Sequence, residues 1–298
     1  MDKVTIVTHS SKFHVDDVFA VATLQLVLEK EGKTFTVVRS RDMEIISKGD
    51  YVVDVGGIYD PETNYFDHHQ EGGAGGRENG IFYSSFGLVW KKFGEGLCGS
   101  KELADKIDQK LVQPIDAHDN GITYFETHIP NLYPYDIKSV LSAFRPTWKE
   151  EADYDGIFNK LVPWAKILLE REIKLVNDFK ELEVSIEEAY NKAEDKRLIM
   201  IENGASGASE ALSKFPEPLF LIYPPKASYT TWSLVTVDTS IPYVSRKDLP
   251  LSWAGKMDKD LEEVTGVPGA VFCHNKRFIA VAKTKEAILA MAQIALES

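Results

Sequence analysis

The sequence predicts an α/β protein of two domains, in which a doubly wound, mainly parallel sheet domain is followed by a smaller α/β domain. Three observations support this prediction. The 298 residues exceed the roughly 100–150 of one ordinary core, strand-like runs alternate with helical periodicity in both halves, and a charge-dense stretch separates the halves. We place the two domains at residues 1–185 and 196–298.

The first half begins with a strand, a loop, a helix and two further strands, the order expected of a parallel sheet. Ala20 and Leu24 begin an apolar stripe with helical spacing, and Gly32 ends this helix. Five glycines within 71–80 predict a loop, and Ser84 or Ser85 can cap the next helix, which runs to about residue 93. The strand-like runs are 4–7, 35–38 and 51–55, and a later helix is predicted at 103–118.

A long helix leads into the second half. Apolar residues keep helical spacing from Leu161 to Phe179, and Pro163 is compatible with a helix only near its start. Residues 181–196 are dense in charge and lack strong apolar runs, so we place the domain connection there.

The second half again alternates strands with a helix, as expected of a smaller α/β domain. A final helix is predicted over 288–295, with Thr284 as its cap. The strand-like runs are 197–201, 219–223, 232–237, 271–274 and 278–282.

The composition is that of a globular protein, with 44% hydrophobic and 27% charged residues and no apolar run near the roughly 20 residues that cross a bilayer. The N-terminus carries no basic or serine-rich leader, so we expect a cytoplasmic protein without a membrane segment. Cys98 and Cys273 lack the CxxC spacing of a thiolate zinc site and are expected to be buried thiols. The net charge of −12 disfavours binding to duplex DNA, although residues 239–286 carry a local charge of +2.

Histidine and aspartate residues cluster in the first half. Six of the seven histidines lie within the first 128 residues, several beside aspartates and just after strand-like runs. In open α/β sheets, ligands bind at the carboxyl ends of strands. The segments are 8–17 with His9, His14 and Asp16, 52–57 with Asp54, 66–70 with Asp67, His68 and His69, and 115–121 with Asp116, His118 and Asp119.

These segments predict a metal centre. A buried aspartate such as Asp54 needs a partner, and a cation is the expected one. Carboxylate and imidazole ligands without thiolates suit Mn²⁺ or Mg²⁺ better than zinc or iron, and the six or seven ligands available fit two ions better than one. Any one of these residues alone would more often be a hydrogen-bonded structural side chain, so the prediction depends on the four segments together.

In these motifs the sequence resembles the DHH phosphoesterase superfamily, and within it the melanocyte-proliferating-gene exonuclease family. The superfamily takes its name from the triplet seen here as Asp67-His68-His69. The other matching motifs span almost the whole chain and are 8–17, Asp54-Val55-Gly56-Gly57, Ser85-Phe86-Gly87-Leu88-Val89-Trp90, 115–121, and Ser245-Arg246-Lys247 with Leu249-Pro250.

The resemblance implies a metal-bearing N-terminal domain and a C-terminal domain that closes a cleft over the substrate. His14 stands one residue away from a position where most of the superfamily has a carboxylate, and we include it among the ligands. The implied ligands of two Mn²⁺ or Mg²⁺ ions are His9, His14, Asp16, Asp54, His68 and one of Asp116 and Asp119.

Two residues are assigned to the chemistry. Asp54 is expected to bridge the ions, which lower the pKa of a shared water molecule. His69 either contacts the substrate phosphate, protonates the leaving oxygen or supports a ligand carboxylate. Asp67 is expected to act through a neighbour, since alternation along the strand points it away from His68.

Basic residues of the second half are predicted to hold substrate phosphates, although each one alone is more often a solvated surface charge. They are Arg246, Lys247, His274, Lys276 and Arg277. Ala280 and Val281 stand where the family has paired glycines.

We therefore predict a metal-dependent phosphodiesterase, a 3′-to-5′ exonuclease that acts on short single-stranded RNA or oligonucleotides. One alternative is a phosphoanhydride hydrolase such as a pyrophosphatase. Another is a metal-binding interaction protein without catalysis, which the change at Ala280 and Val281 favours. The sequence leaves the oligomeric state open.

Overall fold

Within the described residues, two five-stranded sheets organise the chain, one in the unit that ends at Asn177 and one in the unit that begins at Asp178. The computed structural model describes residues 3–202, 206–225, 230–239, 241 and 244–298. In each unit apolar helix faces pack on the sheet, which confirms the predicted α/β class.

The first sheet has the strand order β2-β1-β3-β5-β4, and all of its pairs are parallel except that between β4 and β5. Consecutive side chains of β1 point to opposite faces, so Ile6 enters the core beneath α1 and α3, while Val7 packs with Ile46 of α2 on the other face. Helices on both faces make this a doubly wound sheet. Its strands are β1 Val4–Thr8, β2 Phe35–Arg39, β3 Tyr51–Val53, β4 Tyr59–Asp60 and β5 Tyr65–Phe66.

The helices of the first unit largely follow the predicted pattern. The single helix predicted at 103–118 is two helices joined by a π-helical turn at Asp108–Val112. The helix predicted to end near residue 93 continues to Cys98, where Gly99 adopts a left-handed φ of 86° and terminates it. The helices are α1 Val15–Lys30, α2 Met43–Ile46, α3 Ser85–Cys98, α4 Lys101–Ile107, α5 Gln113–Asp119 and α6 Ile137–Ser142.

The long helix α7, Tyr154–Lys192, is longer than the sequence pattern indicates. The charge-dense residues 181–192 are helical, because Leu182 and Ile186 pack into an apolar cluster of the second unit while the charged side chains lie toward solvent. Pro163 lies inside the helix rather than near its start, with its own side chain and that of Asn159 exposed, so the carbonyl of Asn159 can be hydrated. The two units divide within this helix, between Asn177 and Asp178.

The second sheet has the strand order β6-β7-β8-β10-β9, and only its pair β6 and β7 is parallel. The predicted strands all form, and Thr284 caps the last helix by accepting a hydrogen bond from the Ala287 amide at 3.1 Å. The elements are β6 Leu198–Met200, α8 Ala208–Leu212, β7 Phe220–Tyr223, β8 Trp232–Thr236, a 3₁₀ turn Leu251–Trp253, α9 Asp258–Thr265, β9 Ala270–Cys273, β10 Ile279–Ala282 and α10 Lys285–Glu297.

Two simpler expectations can be compared with the structure. Cys98 and Cys273 are free and buried, as predicted. In the parts of the chain that the structure describes, every helix is too short or too polar to span a bilayer.

Candidate metal centre

Three neighbouring parallel strands bring polar side chains to one edge of the first sheet. His9 follows β1, Asp54 follows β3, and His68 lies two residues beyond β5. Because β1 pairs with β3 and β3 with β5 in parallel, these carboxyl ends lie side by side. The topology therefore converts three distant sequence positions into one site.

His9 is buried between two carboxylates. Its Nε2 atom lies 3.0 Å from Asp17 and 3.2 Å from Asp54, and its Nδ1 atom lies 3.0 Å from the Ser10 carbonyl oxygen. Burial acts to lower the pKa of His9, but the close approach of the Asp17 and Asp54 carboxylates outweighs it and raises the pKa to about 10.

Asp54 occupies the centre of the site in a left-handed backbone conformation, with φ 56°. Its amide still donates to the Phe66 carbonyl at 3.1 Å, which continues the sheet pairing by one residue. Its carboxylate lies 3.2 Å from His9 and 3.3 Å from His68, and accepts from the Ser85 hydroxyl at 3.1 Å. Although burial opposes ionisation, His68 and His9 hold the pKa of Asp54 below its usual range.

The N-terminus of α1 supplies two more buried carboxylates. Asp17 accepts a hydrogen bond from the His14 amide at 3.0 Å, so it helps to fix the start of the helix. Both oxygens of Asp16 are buried without a hydrogen-bond donor. Burial, together with the charges of Asp54 and Asp119, raises the pKa of Asp16 well above its usual value.

His68 collects the remaining carboxylates around its Nε2 atom. The distances are 3.2 Å to Asp119, 3.3 Å to Asp54 and 3.9 Å to Asp16. The donor atoms of His14, Asp16 and Asp119 lie within 4.8 Å of one another, and so do those of His9, His14 and Asp54. We call these six residues the metal cluster: His9, His14, Asp16, Asp54, His68 and Asp119.

The metal cluster fits divalent cations. Several of its buried oxygen and nitrogen atoms face one another without hydrogen-bond partners: His9 Nε2, both Asp16 oxygens, Asp54 Oδ2 and His68 Nε2. Buried polar atoms normally have such partners, and a cation ligated by carboxylate and imidazole groups would satisfy all of them.

Asp116 lies outside the metal cluster and has a complete set of protein partners. It accepts from the Ser84 hydroxyl at 2.5 Å, the Ser84 amide at 3.2 Å, the Gly87 amide at 3.1 Å and Arg77 at 2.7 Å. Burial raises the pKa of Asp116 to about 6, even though Arg77 and the Ser84 hydrogen bonds favour its ionised form. Of the two predicted aspartates, the structure therefore brings Asp119 to the metal cluster.

Arg77 was not identified from the sequence, because the glycine-rich loop around it predicts only mobility. Its guanidinium also binds both oxygens of Asp108 at 2.5 and 2.9 Å. Gly87 is required in this network, since a Cβ atom there would lie 2.0 Å from an Asp116 oxygen. Together these contacts fix the start of α3, from which Ser85 reaches Asp54.

Asp67 and His69 form a pair at the edge of the site. Asp67 accepts from the Gly57 amide at 2.6 Å, the His69 amide at 3.1 Å and the His69 ring at 2.7 Å. The His69 Nδ1 atom is also 3.5 Å from Asp54, and more than half of the side chain is exposed. The hydrogen bond to Asp67 is the main reason that the pKa of His69 is raised.

The predicted phosphate-binding residues of the second unit mostly bind their own fold. Arg246 donates to the carbonyl oxygens of Ser213, Phe215 and Pro218, and Lys247 donates to that of Leu296. These contacts give both cations a structural task within the second unit.

The turn from 274 to 277 is likewise held by internal contacts. Arg277 pairs with Asp248 at 2.6 Å, the Lys276 amide donates to His274 at 3.0 Å, and the His274 ring lies against Phe278. Ala280 and Val281 lie in β10, paired with strands on both sides. Substrate binding by these residues stays a prediction.

The sequence is similar to a known protein family and to named members of it. A family model named MYG1_exonuc, described as an uncharacterised protein family (UPF0160), matches residues 5–296. The MYG1 exonuclease of Bos taurus is 31% identical, over 97% of this chain and 84% of its own length. The MYG1 exonuclease of Homo sapiens is 30% identical, over 97% of this chain and 85% of its own length.

Solved structures show weaker similarity. RecJ from Thermus thermophilus in complex with Mn²⁺ covers 99% of this chain and 52% of its own, with 10% identity and a TM-score of 0.30. Another exonuclease RecJ bound to manganese covers 99% of this chain and 90% of its own, with 12% identity and a TM-score of 0.29. These TM-scores are too low to assign a fold or a function.

Proposed function

The chain belongs to the MYG1_exonuc family, and from that premise we propose that it is a metal-dependent exonuclease that removes nucleotides from the 3′ end of short single-stranded RNA or other oligonucleotides. The observation that carries the proposal is that both buried oxygens of Asp16 lack a hydrogen-bond donor, and that His9 Nε2, Asp54 Oδ2 and His68 Nε2 nearby also make no hydrogen bond. A protein that only needed a stable core would not retain such a group of carboxylates, because desolvating them is costly.

Two ions would share Asp54. His9, His14 and Asp54 would form one set of ligands. The other would be His68 with the three carboxylates around its Nε2 atom, those of Asp16, Asp54 and Asp119. Carboxylate and imidazole ligands without thiolate suit Mn²⁺ or Mg²⁺. When bound, such a pair supplies a hydroxide at neutral pH and neutralises the charge that develops on phosphorus oxygens.

His69 is the proposed proton donor to the leaving oxygen or a contact for the substrate phosphate. Asp67 binds the Nδ1 side of its ring, and the raised pKa of His69 favours the protonated imidazole. Because the ring is more than half exposed, its outer edge is accessible to a substrate.

The test compares Asp54→Asn with Asp105→Asn, a matched change of an exposed aspartate on α4. With Mn²⁺ and a 3′-labelled pentaribonucleotide, we expect Asp54→Asn to lose at least about 100-fold in turnover and to bind fewer ions, while Asp105→Asn behaves as wild type. Wild-type turnover in Asp54→Asn would refute the proposal.

The same assay separates the alternatives. A 5′-labelled substrate reports the polarity of digestion, and inorganic pyrophosphate in its place detects a phosphoanhydride hydrolase. Two bound ions without cleavage of either substrate would indicate a metal-binding protein that is not a catalyst. The cytoplasmic location remains a prediction from the sequence.

A further inference from the structure

A segment of the first unit carries an unusual concentration of exposed aromatic side chains. Residues 122–149, the aromatic segment, contain six aromatic residues, of which five are exposed. Elsewhere in the described residues only three aromatic side chains are exposed to this degree. Trp148 is 89% exposed and Tyr135 is 74% exposed. Single exposed apolar side chains are ordinary, but a concentration of them is a feature of interaction sites. The five are Tyr124, Tyr133, Tyr135, Phe144 and Trp148.

Both ends of the aromatic segment lie close to residues of the metal cluster. It starts three residues after Asp119, which ends α5. Near its other end, Arg145 donates to the Phe13 carbonyl oxygen at 2.6 Å, one residue before His14. Between these two points, α6 packs against the core through Leu141. Both ends of the segment are therefore held beside residues that would bind the ions.

The charge of the aromatic segment differs from that of the chain. It carries three basic and two acidic residues, whereas the whole chain has a net charge of −12. The Lys149 ammonium lies 5.0 Å from the centre of the Trp148 ring. Of the segment's cations, Arg145 is held beside the metal cluster by its hydrogen bond to the Phe13 carbonyl oxygen.

Exposed aromatic rings beside cations are typical of surfaces that bind single-stranded nucleic acid. Proteins that bind single strands place basic side chains along the phosphates and aromatic side chains against the bases. A strand whose scissile phosphate lies in the metal cluster must place its adjacent nucleotides on the surface next to the cluster. Protein interfaces also use aromatic side chains, but they do not require a position at a phosphodiester-cleaving site.

We infer that the aromatic segment is a stacking surface for unpaired bases and holds the nucleotides next to the bond that the metal cluster hydrolyses. The inference rests on the proposed function and adds how the single-stranded substrate is recognised, through its bases. Stacking tolerates any sequence, because every base has a π face.

The test measures binding of the full-length chain to a 5′-fluorescein-labelled oligoribonucleotide by anisotropy, in EDTA so that no cleavage occurs. Trp148→Leu keeps an apolar side chain but removes the ring, and we expect its Kd to rise about fivefold or more. Trp148→Phe keeps a ring and should recover most of the affinity. Ile167→Ala, an exposed apolar change on α7, is the matched control and should bind as wild type.

An abasic oligonucleotide of the same length separates stacking from phosphate binding. The wild type should bind it more weakly than the natural strand, and Trp148→Leu should show a smaller difference between the two ligands. If the ratio of the affinities for the natural and the abasic strand were the same in the wild type and in Trp148→Leu, the inference would be overturned.

The outcomes also separate this inference from the proposed function. If the wild type cleaves oligonucleotides and all Trp148 variants bind them equally well, the stacking surface is wrong while the exonuclease proposal stands. If the wild type neither binds nor cleaves them, the proposed function fails. Self-association that Trp148→Leu abolishes, without any change in oligonucleotide binding, would assign the surface to a second copy of the chain.

Discussion

The two units of this protein differ in whether their histidine, aspartate and basic side chains have hydrogen-bond partners. In the first unit, parallel strands end at one edge and leave unpartnered imidazole and carboxylate atoms there. In the second unit, mostly antiparallel strands alternate in direction, and Arg246, Lys247 and Arg277 bind carbonyl groups or a carboxylate of the same unit. Parallel pairing gathers strand ends, whereas antiparallel pairing separates them.

The difference shows how to distinguish a reactive site from a structural one. Arg246, Lys247 and Arg277 of the second unit have hydrogen-bond acceptors within that unit. In the metal cluster, carboxylates face other carboxylates, and the pKa of Asp16 and Asp119, like that of the neighbouring Asp17, is raised mainly by burial. A group of polar atoms that the fold leaves incompletely paired is a stronger indication of function than charge itself.

The largest expected effect comes from Asp16→Asn. We expect at least about a 100-fold loss of Mn²⁺-dependent turnover, because a direct ligand matters more than its supporting partners. The folded-state pKa of Asp16 is raised above its usual value of 3.8, so Asp16 destabilises the metal-free fold increasingly as the pH rises from about 3.8 to the folded-state pKa, and fully above it. The metal-free variant should therefore melt about 2 °C or more above the wild type at pH 8.

The control for this change is Asp260→Asn, an exposed aspartate in the first turn of α9. Calorimetry with and without Mn²⁺ measures both melting temperatures. If Mn²⁺ still raised the melting temperature of Asp16→Asn as much as that of the wild type, Asp16 would not be a ligand.

A second comparison sets an arginine of each unit against the other. Arg77→Met leaves Asp116 buried without its cation, so we expect the free energy of unfolding to fall by about 3 kcal/mol. Arg246→Met leaves carbonyl oxygens that water can reach in part, so about 1–2 kcal/mol is expected. Urea denaturation measures both changes, and a larger loss in Arg246→Met would contradict the comparison.

The smallest expected effect is a pH dependence of stability and of Mn²⁺ affinity, which comes from His9 in the first unit. The pKa of His9 is raised to about 10, so the metal-free ring holds a proton at neutral pH and a metal must displace it. The stabilisation from protonated His9 is complete below about 6.5 and is lost as the pH rises through about 10.

Mn²⁺ affinity should therefore rise with pH, with about one proton released per chain between pH 7 and 8. Titration calorimetry in two buffers of different ionisation enthalpy measures this release. Binding without proton release would show that His9 is not a ligand.

The sequence predicted the fold well where local patterns are strong. The strand runs that lead to His9 and Asp54 were placed, because apolar runs between turn residues are local signals, whereas the two-residue strand β5 that leads to His68 was not predicted. The helical residues 181–192 were assigned to a connection, because charge density hides an apolar stripe that needs the second unit to bury it. The sequence pattern of residues 181–192 therefore does not by itself distinguish a helix from a connecting segment.

The site was predicted less completely than the fold. Asp116 and Asp119 lie one helical turn apart at the end of α5, so both fitted the motif. Only the packing of Arg77, Ser84 and Gly87 against Asp116 separates them. The contacts of Arg246 and Lys247 within the second unit could not be predicted either, because the sequence does not show which groups a basic side chain will contact.

By itself, the sequence determined which residue types follow which strands, since backbone preference and apolar periodicity act between near neighbours. Tertiary structure alone decided which buried polar atoms lack hydrogen-bond partners, because burial and pairing depend on residues that are distant along the chain. For this protein those atoms include both oxygens of Asp16 and the Nε2 atoms of His9 and His68.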